Sequence, residues 1–264
     1  MTNMEYAKEV AALVNGTAKE VEKANGVKLA GVTIRTEGSN ISPCIYVDIM
    51  NEEGLTPEEA AEEVKRLTVK SQRENIDIDR INDFETIKPM LRARLYNEKT
   101  SAEVKRSAAS YGFNDLIIVP YIEGIIENGS CKVTEALLNA WNATAEEVID
   151  IAEENSRAEA NMKSLHEVLC EMMGAAAIPE DHTVPTTLVI SNDRRMYGAY
   201  GVIAKLDDLK VRFTNGFTVI PSSVHECLVI DADDPTFDSM VQEVNAAEVN
   251  LEEQLSNHAY RIAA

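Results

Sequence analysis

A short polar turn near the C-terminus gathers the side chains of this sequence that are best suited to chemistry. Residues 214–231 have the sequence TNGFTVIPSSVHECLVID, in which two apolar runs flank a turn at residues 221–226. Apolar runs of this length predict buried strands, so the turn should place polar side chains where two strands end. These side chains are Ser222, Ser223, His225 and Glu226. Hydroxyl, imidazole and carboxylate groups together are the components of nucleophilic hydrolysis.

The same residues also fit a purely structural corner. A catalytic triad requires the histidine to contact both the serine and the acid. Neighbours on an extended strand point to opposite faces, so Ser223 and His225 would share a face while Glu226 lies on the other. The sequence contains no GxSxG nucleophile elbow, and polar side chains at a corner often satisfy loose backbone groups. We therefore prefer a structural corner over a catalytic site or a contact with a ligand or partner.

Metal and cofactor chemistry has no complete motif in this sequence. His166 and Glu167 begin a zinc-protease pattern, but position 170 holds a cysteine where the second histidine would stand. The cysteines at positions 44, 131, 170 and 227 form no CxxC pair, so we expect reduced core residues. No GxGxxG or P-loop motif is present, and Gly198 and Gly201, beside two tyrosines, predict a close-packed bend. We expect neither a metal nor a cofactor.

Other polar residues have a structural explanation beside a functional one. Two groups of acids follow predicted helix starts and strand ends, and their spacing is not that of a calcium loop. These acids are Asp207, Asp208, Asp231, Asp233 and Asp234. His182 lies in a segment that we predict to be a joint, and His258 lies near the C-terminus. Neither histidine has a partner at metal-ligand spacing.

Charge is the most distinctive global property of the sequence. The 264 residues include 45 acidic and 25 basic side chains, which gives a net charge of −20. Such a charge repels phosphate backbones and anionic membranes, so we expect no direct binding of nucleic acid or membrane. A basic patch would have to be assembled in three dimensions from residues that are apart in sequence. The residues available for it are Arg92, Arg94, Arg194 and Arg195.

Two functions from different classes are compatible with these features. The first is a non-enzymatic interaction or regulatory protein that binds a protein partner through an acidic surface, and it requires no missing catalytic machinery. The second is a small hydrolase-type enzyme centred on residues 221–226.

The sequence shows no sign of a membrane segment or a secretory signal. No apolar run reaches the roughly 18 residues that span a bilayer, and Glu5 and Glu9 stand where a secretory signal would be basic and then apolar. We therefore expect a cytoplasmic protein, whose partner and oligomeric state the sequence leaves open.

Helix and strand patterns alternate through the N-terminal part. Apolar residues at helical spacing predict an opening helix over residues 4–24. Thr56, followed by Pro57 and two glutamates, predicts the start of a second helix that runs to about residue 74. Strands are predicted at residues 27–36, 44–50, 91–96 and 116–126, with a short helix at 83–88. Pro120 and Gly124 interrupt the last strand, so it should bend or lie at an edge of its sheet.

Helices are predicted to dominate the middle of the chain, before a joint. The predicted helices begin near residue 134, cover residues 144–155 and cover residues 158–173. A polar run around Pro179 predicts a joint at residues 175–184, which separates an N-terminal α+β region, 1–174, from a C-terminal α+β region, 185–264. The C-terminal region has the predicted order ββαββα, with strands at 187–191, 201–205 and on both sides of 221–226, and helices at 206–213 and 235–245. We therefore predict an α+β protein with mixed or mainly antiparallel sheets and packed helices, in two sub-domains.

Several segments resemble a bacterial family of unknown function that is common in anaerobic gut bacteria. The most specific are TVIPSSVHECLVID and the closing VNAAEVNLEEQLSNHAY, together with NDRRMYGAYGVIAKLDDL. The segments SPCIYVDI, ETIKPMLRARLYN and DLIIVPYI also fit, so the resemblance covers most of the chain. It implies a shared fold built around the Pro-Ser-Ser-x-His-Glu corner. It implies no substrate, cofactor or catalytic residue.

Overall fold

Three antiparallel sheets with packed helices make up the protein in a computed structural model, which describes residues 1–71, 75–102, 110–113, 115–125, 129–174 and 185–263. The predicted α+β class with mainly antiparallel sheets is confirmed. Among these residues, no helix is long and apolar enough to cross a membrane.

The N-terminal sheet contains three strands and is covered by two helices. Its strands are β1 (Thr17–Glu22), β2 (Lys28–Thr33) and β3 (Cys44–Tyr46), each antiparallel to the next. The helices α1 (Asn3–Leu13) and α3 (Pro57–Lys70) pack against each other and against this sheet. Their buried apolar side chains form a cluster of their own, which is separate from the main core.

The predicted opening helix over residues 4–24 is wrong beyond Leu13. Asn15 adopts a left-handed backbone with a φ of 51°, which ends the helix. At Gly16 a Cβ atom would lie 2.8 Å from the carbonyl oxygen of Thr33, so only glycine allows this close approach. The chain then pairs with β2 as a strand, and tertiary pairing overrides the helical spacing of its apolar residues.

The next two N-terminal predictions have different outcomes. The strand predicted at residues 44–50 ends at Tyr46, and the short helix α2 (Asp48–Glu52) replaces its second half. Asp48 is buried, and its carboxylate accepts a hydrogen bond from the backbone N–H of Ala30 at 3.0 Å, which fixes this helix start against β2. The helix predicted to start after Thr56 is confirmed, because the Thr56 hydroxyl accepts from the Glu59 N–H in a complete capping box.

The central sheet is built around β6 (Leu116–Glu123). This strand pairs with β4 (Leu91–Asn97) on one side, and with β5 (Ser110–Phe113) and β7 (Ser130–Lys132) on the other. An edge position for β6 is therefore wrong. The carbonyl of Pro120 accepts from Val133 N at 3.1 Å, so the missing N–H of the proline faces the same side, in the gap between β5 and β7.

Short helices and one long helix flank the central sheet. The helices α4 (Ile78–Asn82) and α5 (Phe84–Ile87) precede β4, and α6 (Glu135–Trp141) and α7 (Ala145–Glu159) follow β7. The Thr134 hydroxyl caps α6 and the Thr144 hydroxyl caps α7, at the positions where the sequence predicts that helices begin. Val148, Ile149 and Ala152 are buried on one face of α7, which packs on β4. The opposite face of α7 is left to solvent.

The C-terminal sheet has five antiparallel strands in the order β12, β10, β11, β9, β8. These are β8 (Ala160–Ser164), β9 (Thr187–Asn192), β10 (Phe217–Ser223), β11 (Glu226–Ile230) and β12 (Tyr260–Ile262). The helix predicted at residues 158–173 is wrong in its first half, because residues 160–164 pair with β9 as an edge strand. Strand β12 was not predicted from the sequence, since three residues carry too short a pattern.

Helices connect these strands. They are α8 (Leu165–Met173), α9 (Gly201–Ala204), α10 (Leu206–Arg212) and α11 (Phe237–Ala247). The strand predicted at residues 201–205 is therefore wrong, and the predicted ββαββα order loses its second strand.

The predicted joint, residues 175–184, lies outside the described residues, so the division into two regions stays a prediction. The main apolar cluster contains side chains from both predicted regions, including Leu95, Ile122, Ile190 and Val229.

Candidate functional site

The corner at residues 221–226 is a tight hairpin between β10 and β11. Ser223 pairs with Glu226, and the register shifts between Ile220 and Ser223, so an irregularity lies immediately before the turn. The predicted order of strand, turn and strand is confirmed, but β10 extends to Ser223 and β11 begins at Glu226, so only residues 224 and 225 form the turn. Ser222, Ser223, His225 and Glu226 are all half-buried.

His225 makes contacts in four directions. Its Nδ1 accepts a hydrogen bond from the backbone N–H of Tyr197 at 3.1 Å, and its Nε2 lies 3.5 Å from Oε1 of Glu253. Its backbone N–H donates to the Ser223 hydroxyl at 3.1 Å, and its carbonyl accepts from the Ser191 hydroxyl at 2.8 Å. The residue therefore ties the corner to β9, to the segment after β9 and to residues 251–253.

This arrangement fixes the tautomer of the imidazole. Because Nδ1 accepts from Tyr197 N–H, the proton of the neutral ring lies on Nε2, facing Glu253. A serine nucleophile needs a free nitrogen lone pair, and the only lone pair here is already bonded. Across the part of the chain that the structure describes, neither Ser222 nor Ser223 donates to this ring.

Tyr197 is the residue that the corner holds in place. Its φ of 54° lies in the left-handed region, which is uncommon for a bulky aromatic residue. The His225 imidazole accepts its N–H, and the next residue, Gly198, donates its own N–H to the His225 carbonyl at 3.0 Å. The two rings also contact each other, with centroids 5.2 Å apart. The corner thus sets the position of the Tyr197 side chain.

The ring of Tyr197 covers a buried arginine. The guanidinium carbon of Arg94 lies 3.5 Å from the Tyr197 ring centroid and 4.1 Å from that of Tyr121, so both rings make cation–π contacts with it. Nη2 of Arg94 donates to Oε1 of Glu123 at 3.1 Å, and their side chains are only 5% and 10% exposed. Glu123 also pairs with Arg194, and Nε of Arg94 is buried without a hydrogen-bond partner.

The four arginines considered for a basic patch each contact a carboxylate. The pairs are Arg92 with Glu159, Arg94 and Arg194 with Glu123, and Arg195 with Glu171. Two carboxylates thus neutralise three guanidinium groups around Arg94, which leaves a local excess of one positive charge. This is far from the basic stripe that a nucleic acid requires.

An open cleft of about 320 Å³ lies beside Arg94. We call it the tyrosine cleft, because the side chains of Tyr96, Tyr121 and Tyr197 line it. The Tyr96 hydroxyl donates to that of Tyr121 at 3.2 Å, and burial raises the pKa of both phenols above the usual value, so both stay neutral. Six of the remaining eight lining residues are charged, and they carry both signs: Lys23, Arg94 and Lys132, and Glu22, Glu252 and Glu253. The central sheet, the turn after β1 and residues 251–253 all contribute walls.

The thiols do not form a reactive centre. Cys227 is buried, and this burial raises the pKa of its thiol to about 12, which keeps the thiol protonated. Cys131 is exposed, so the prediction of a core position is wrong for it, although partial desolvation still raises the pKa of its thiol. The Cys170 Sγ lies 3.6 Å from Nε2 of His166, as expected one helical turn apart. No cluster of three or more metal-ligating side chains occurs in the described part of the chain.

The remaining candidates take part in local structure. His258 lies 3.4 Å from Asp115, which also accepts a hydrogen bond from the Tyr260 hydroxyl at 2.5 Å. Asp207 and Asp208 lie in the first turn of α10, where acids interact favourably with the helix dipole. The acids of the later group flank α11: Asp233 pairs with Arg261, Asp234 accepts from Thr236, and the Asp231 N–H donates to Thr186. His182 lies outside the described residues.

Three acids form a line on the exposed face of α7. Glu146, Asp150 and Glu154 are spaced by four residues, and all three are exposed. We call this line the acidic stripe. In the described residues none of the three forms an ion pair, and Arg157, one turn further, donates to the carbonyl of Ala204. Like charges four residues apart destabilise a helix by about 0.2–0.5 kcal/mol per pair, so the stripe lowers the stability of its own helix.

The contacts of His225 lead to a first prediction. His225→Ala should lower the free energy of unfolding by about 1–3 kcal/mol, because the half-buried N–H of Tyr197 loses its acceptor. Chemical denaturation of both proteins measures the difference. Unchanged stability together with loss of an activity on any substrate would reverse the order of the two functional hypotheses.

Comparison with known proteins gives one match. The model of a family of unknown function, DUF5688, matches residues 3–262. This agrees with the resemblance seen in the sequence, and it extends the similarity over nearly the whole chain. No curated protein and no solved structure matches the chain.

Proposed function

We propose that this chain, which belongs to the DUF5688 family of unknown function, is a non-enzymatic interaction protein that binds a basic protein partner through the acidic stripe. The observation that carries this proposal is the uncompensated line of Glu146, Asp150 and Glu154 on a helix whose opposite face is fixed to the core. A rigid helix with a charged exposed face presents its charges in a constant arrangement, which suits a complementary surface.

Stability alone does not account for the stripe. Glu146 lies in the first turn of α7, where the helix dipole favours an acid. Asp150 and Glu154 lie in later turns, where this benefit has faded and only mutual repulsion remains. Binding of a basic surface would relieve that repulsion. The net charge of −20 would also attract such a partner from a distance and raise its association rate.

Polyanions are poor partners for such a surface. The arginines that might have formed a basic patch are each engaged by Glu123, Glu159 or Glu171. We therefore propose that the protein binds neither nucleic acid nor an anionic membrane directly. Retention of DNA, RNA or anionic vesicles would count against the proposal.

The alternative is a small hydrolase centred on residues 221–226. It has one observation in its favour, the approach of His225 to Glu253, which is the imidazole and acid part of a triad. The bond from Tyr197 N–H to Nδ1 counts against it, because a base at this position would first have to release a backbone donor. We therefore rank the hydrolase second.

Affinity purification of the tagged chain from its native host tests the proposal. The test variant changes Glu146→Gln, Asp150→Asn and Glu154→Gln, which removes the stripe and three negative charges. A matched control changes Glu9, Glu52 and Glu53 to Gln, which removes the same charge from exposed positions elsewhere. Quantitative mass spectrometry of the captured proteins measures the outcome.

We expect wild type and the matched control to retain a stoichiometric partner, and the stripe variant to lose most of it. Equal loss from both variants would show that net charge alone matters and that the stripe is not the docking face. Equal retention by all three proteins would contradict the proposal.

A further inference from the structure

The tyrosine cleft has the features of a ligand site that is separate from the acidic stripe. Its volume of about 320 Å³ falls at the small end of the range of about 300–1,000 Å³ for small-molecule sites. We infer that it binds a small zwitterion, of the size of a free amino acid or a dipeptide. The inference does not depend on the identity of any protein partner.

One wall of the cleft is suited to a carboxylate. Arg94 is charged at every physiological pH, and it shares the single carboxylate of Glu123 with Arg194, which leaves one guanidinium charge uncompensated. A buried charge is stable only when it is paired, so an anionic group near Arg94 would stabilise the cleft.

Lys23 adds a second cation to the lining. Burial opposes its charged form, but the hydrogen bond with Tyr46 and the charge of Glu252 outweigh burial and raise the pKa of Lys23. The side chain therefore keeps its positive charge throughout the physiological pH range. The neutral phenol of Tyr121 accepts from the Tyr96 hydroxyl, so its own O–H can donate to a carboxylate oxygen.

The opposite charge comes from residues 252 and 253. The carboxylates of Glu252 and Glu253 are 45% and 37% exposed, and both line the cleft. Lys23 lies 3.9 Å from Glu252, which is the outer limit of an ion pair. These carboxylates can accept hydrogen bonds from an ammonium group.

The charges of the protein surface and of the cleft favour a zwitterion over a simple anion or a simple cation. A free anion would be repelled by the net charge of −20 before it reached the cleft, and a simple cation would meet Arg94, Lys23 and Lys132 inside. A zwitterion carries no net charge, so the surrounding field does not repel it. Inside the cleft each of its ends finds groups of opposite sign.

Isothermal titration calorimetry on the full chain tests this inference, with the standard free amino acids and their alanyl dipeptides as probes. The strongest binder is then compared with its N-acetylated form and its C-terminal amide, which each lack one charge. We expect at least one free probe to bind, and each blocked form to bind about tenfold more weakly or worse, because each loses charge-assisted hydrogen bonds.

Matched variants locate the binding. Lys23→Met and Glu252→Gln should each weaken the best probe by a similar factor. Lys28→Met and Glu20→Gln change an exposed ion pair outside the cleft and should leave the affinity unchanged. Melting temperatures of all four variants establish that they are folded.

The inference is overturned by any of four results. The first is that no free probe binds. The second is that the acetylated or amidated form binds as tightly as the free one. The third is that succinate, a small dianion titrated in the same way, binds tighter than every probe. The fourth is that the two control variants lose as much affinity as the two cleft variants.

Discussion

Replacing Arg94 with methionine is expected to lower the free energy of unfolding by about 3–5 kcal/mol, the loss typical of removing one partner from a buried ion pair. The carboxylate of Glu123 is only 10% exposed, and it would keep a contact to Arg194 alone. The rings of Tyr121 and Tyr197 would also lose the cation that contacts both of them. Methionine is an unbranched side chain of similar length, so the loss of stability would come mainly from the missing charge rather than from a cavity.

Arg92→Met is the matched control for this prediction. Arg92 lies two residues away on the same strand and pairs with Glu159, but both side chains of this pair are more exposed. Arg92 also donates to the backbone carbonyls of Pro89 and Leu91, but its ion pair is more accessible to water, so we expect Arg92→Met to cost less than Arg94→Met. Denaturant titration of both variants measures the difference. A loss below about 1 kcal/mol for Arg94→Met would contradict the view that this cluster is a central support of the fold.

Gly198→Ala is expected to destabilise the protein by about 3 kcal/mol, at the upper end of the range for overpacking. A Cβ atom at this position would lie 2.5 Å from both the backbone N of Asn192 and the hydroxyl oxygen of Ser191, and 2.9 Å from the His225 carbonyl oxygen. Two of these three atoms belong to backbone, so they cannot move aside without disturbing the junction of β9 and the corner. The change should also displace Tyr197, which precedes the glycine.

Gly201→Ala provides a graded control in the same segment. Its Cβ would lie 3.0 Å from a side-chain atom of Ile190 and from the Ser191 carbonyl oxygen, which small shifts can accommodate. Alanine also gains about 1 kcal/mol over glycine in a helix, and Gly201 begins α9. We expect a net change within about 1 kcal/mol, measured by thermal and chemical denaturation. If Gly198→Ala and Gly201→Ala lower the stability equally, the close backbone approach at Gly198 does not explain the destabilisation.

Local signals in the sequence predicted part of the fold correctly. The capped starts of α3, α6 and α7 follow from Thr56, Thr134 and Thr144, because a cap is a contact between residues three apart. The hairpin at residues 221–226 also follows from its own sequence, since two apolar runs flank a turn. Both kinds of signal are short-range, so the rest of the chain does not alter them.

Predictions failed where a distant strand decided the structure. Residues 17–22 and 160–164 have apolar residues that fit a helix as well as a strand, and pairing with β2 and β9 selects the strand. The prediction for residues 201–205 is wrong in the opposite sense, because a strand was predicted and a helix is found. The apolar run is a short helix there, and its Gly201 approaches the backbone of Ser191 closely.

The candidate site was predictable only in its corner. Sequence reasoning identified His225 but not its partners, because Tyr197 and Glu253 come from other elements. The sequence analysis named Arg94 as a residue available for a basic patch, yet no local pattern indicates that Tyr197 will contact it. The left-handed backbone of Tyr197 left no signal either, since glycine and asparagine are the usual residues in that conformation.

The measurement that tests the proposed function most directly is the salt dependence of the affinity for the captured partner. The Debye length falls from about 30 Å at 0.01 M ionic strength to about 8 Å at 0.15 M, so an electrostatic complex should weaken steeply over this range. We expect this steep weakening for wild type and for the Glu9, Glu52 and Glu53 control. The stripe variant should bind the partner weakly at low salt, and its affinity should change little as the salt concentration rises. An affinity of wild type that stays constant across this range, or a stripe variant that follows the wild-type curve, would contradict the proposal.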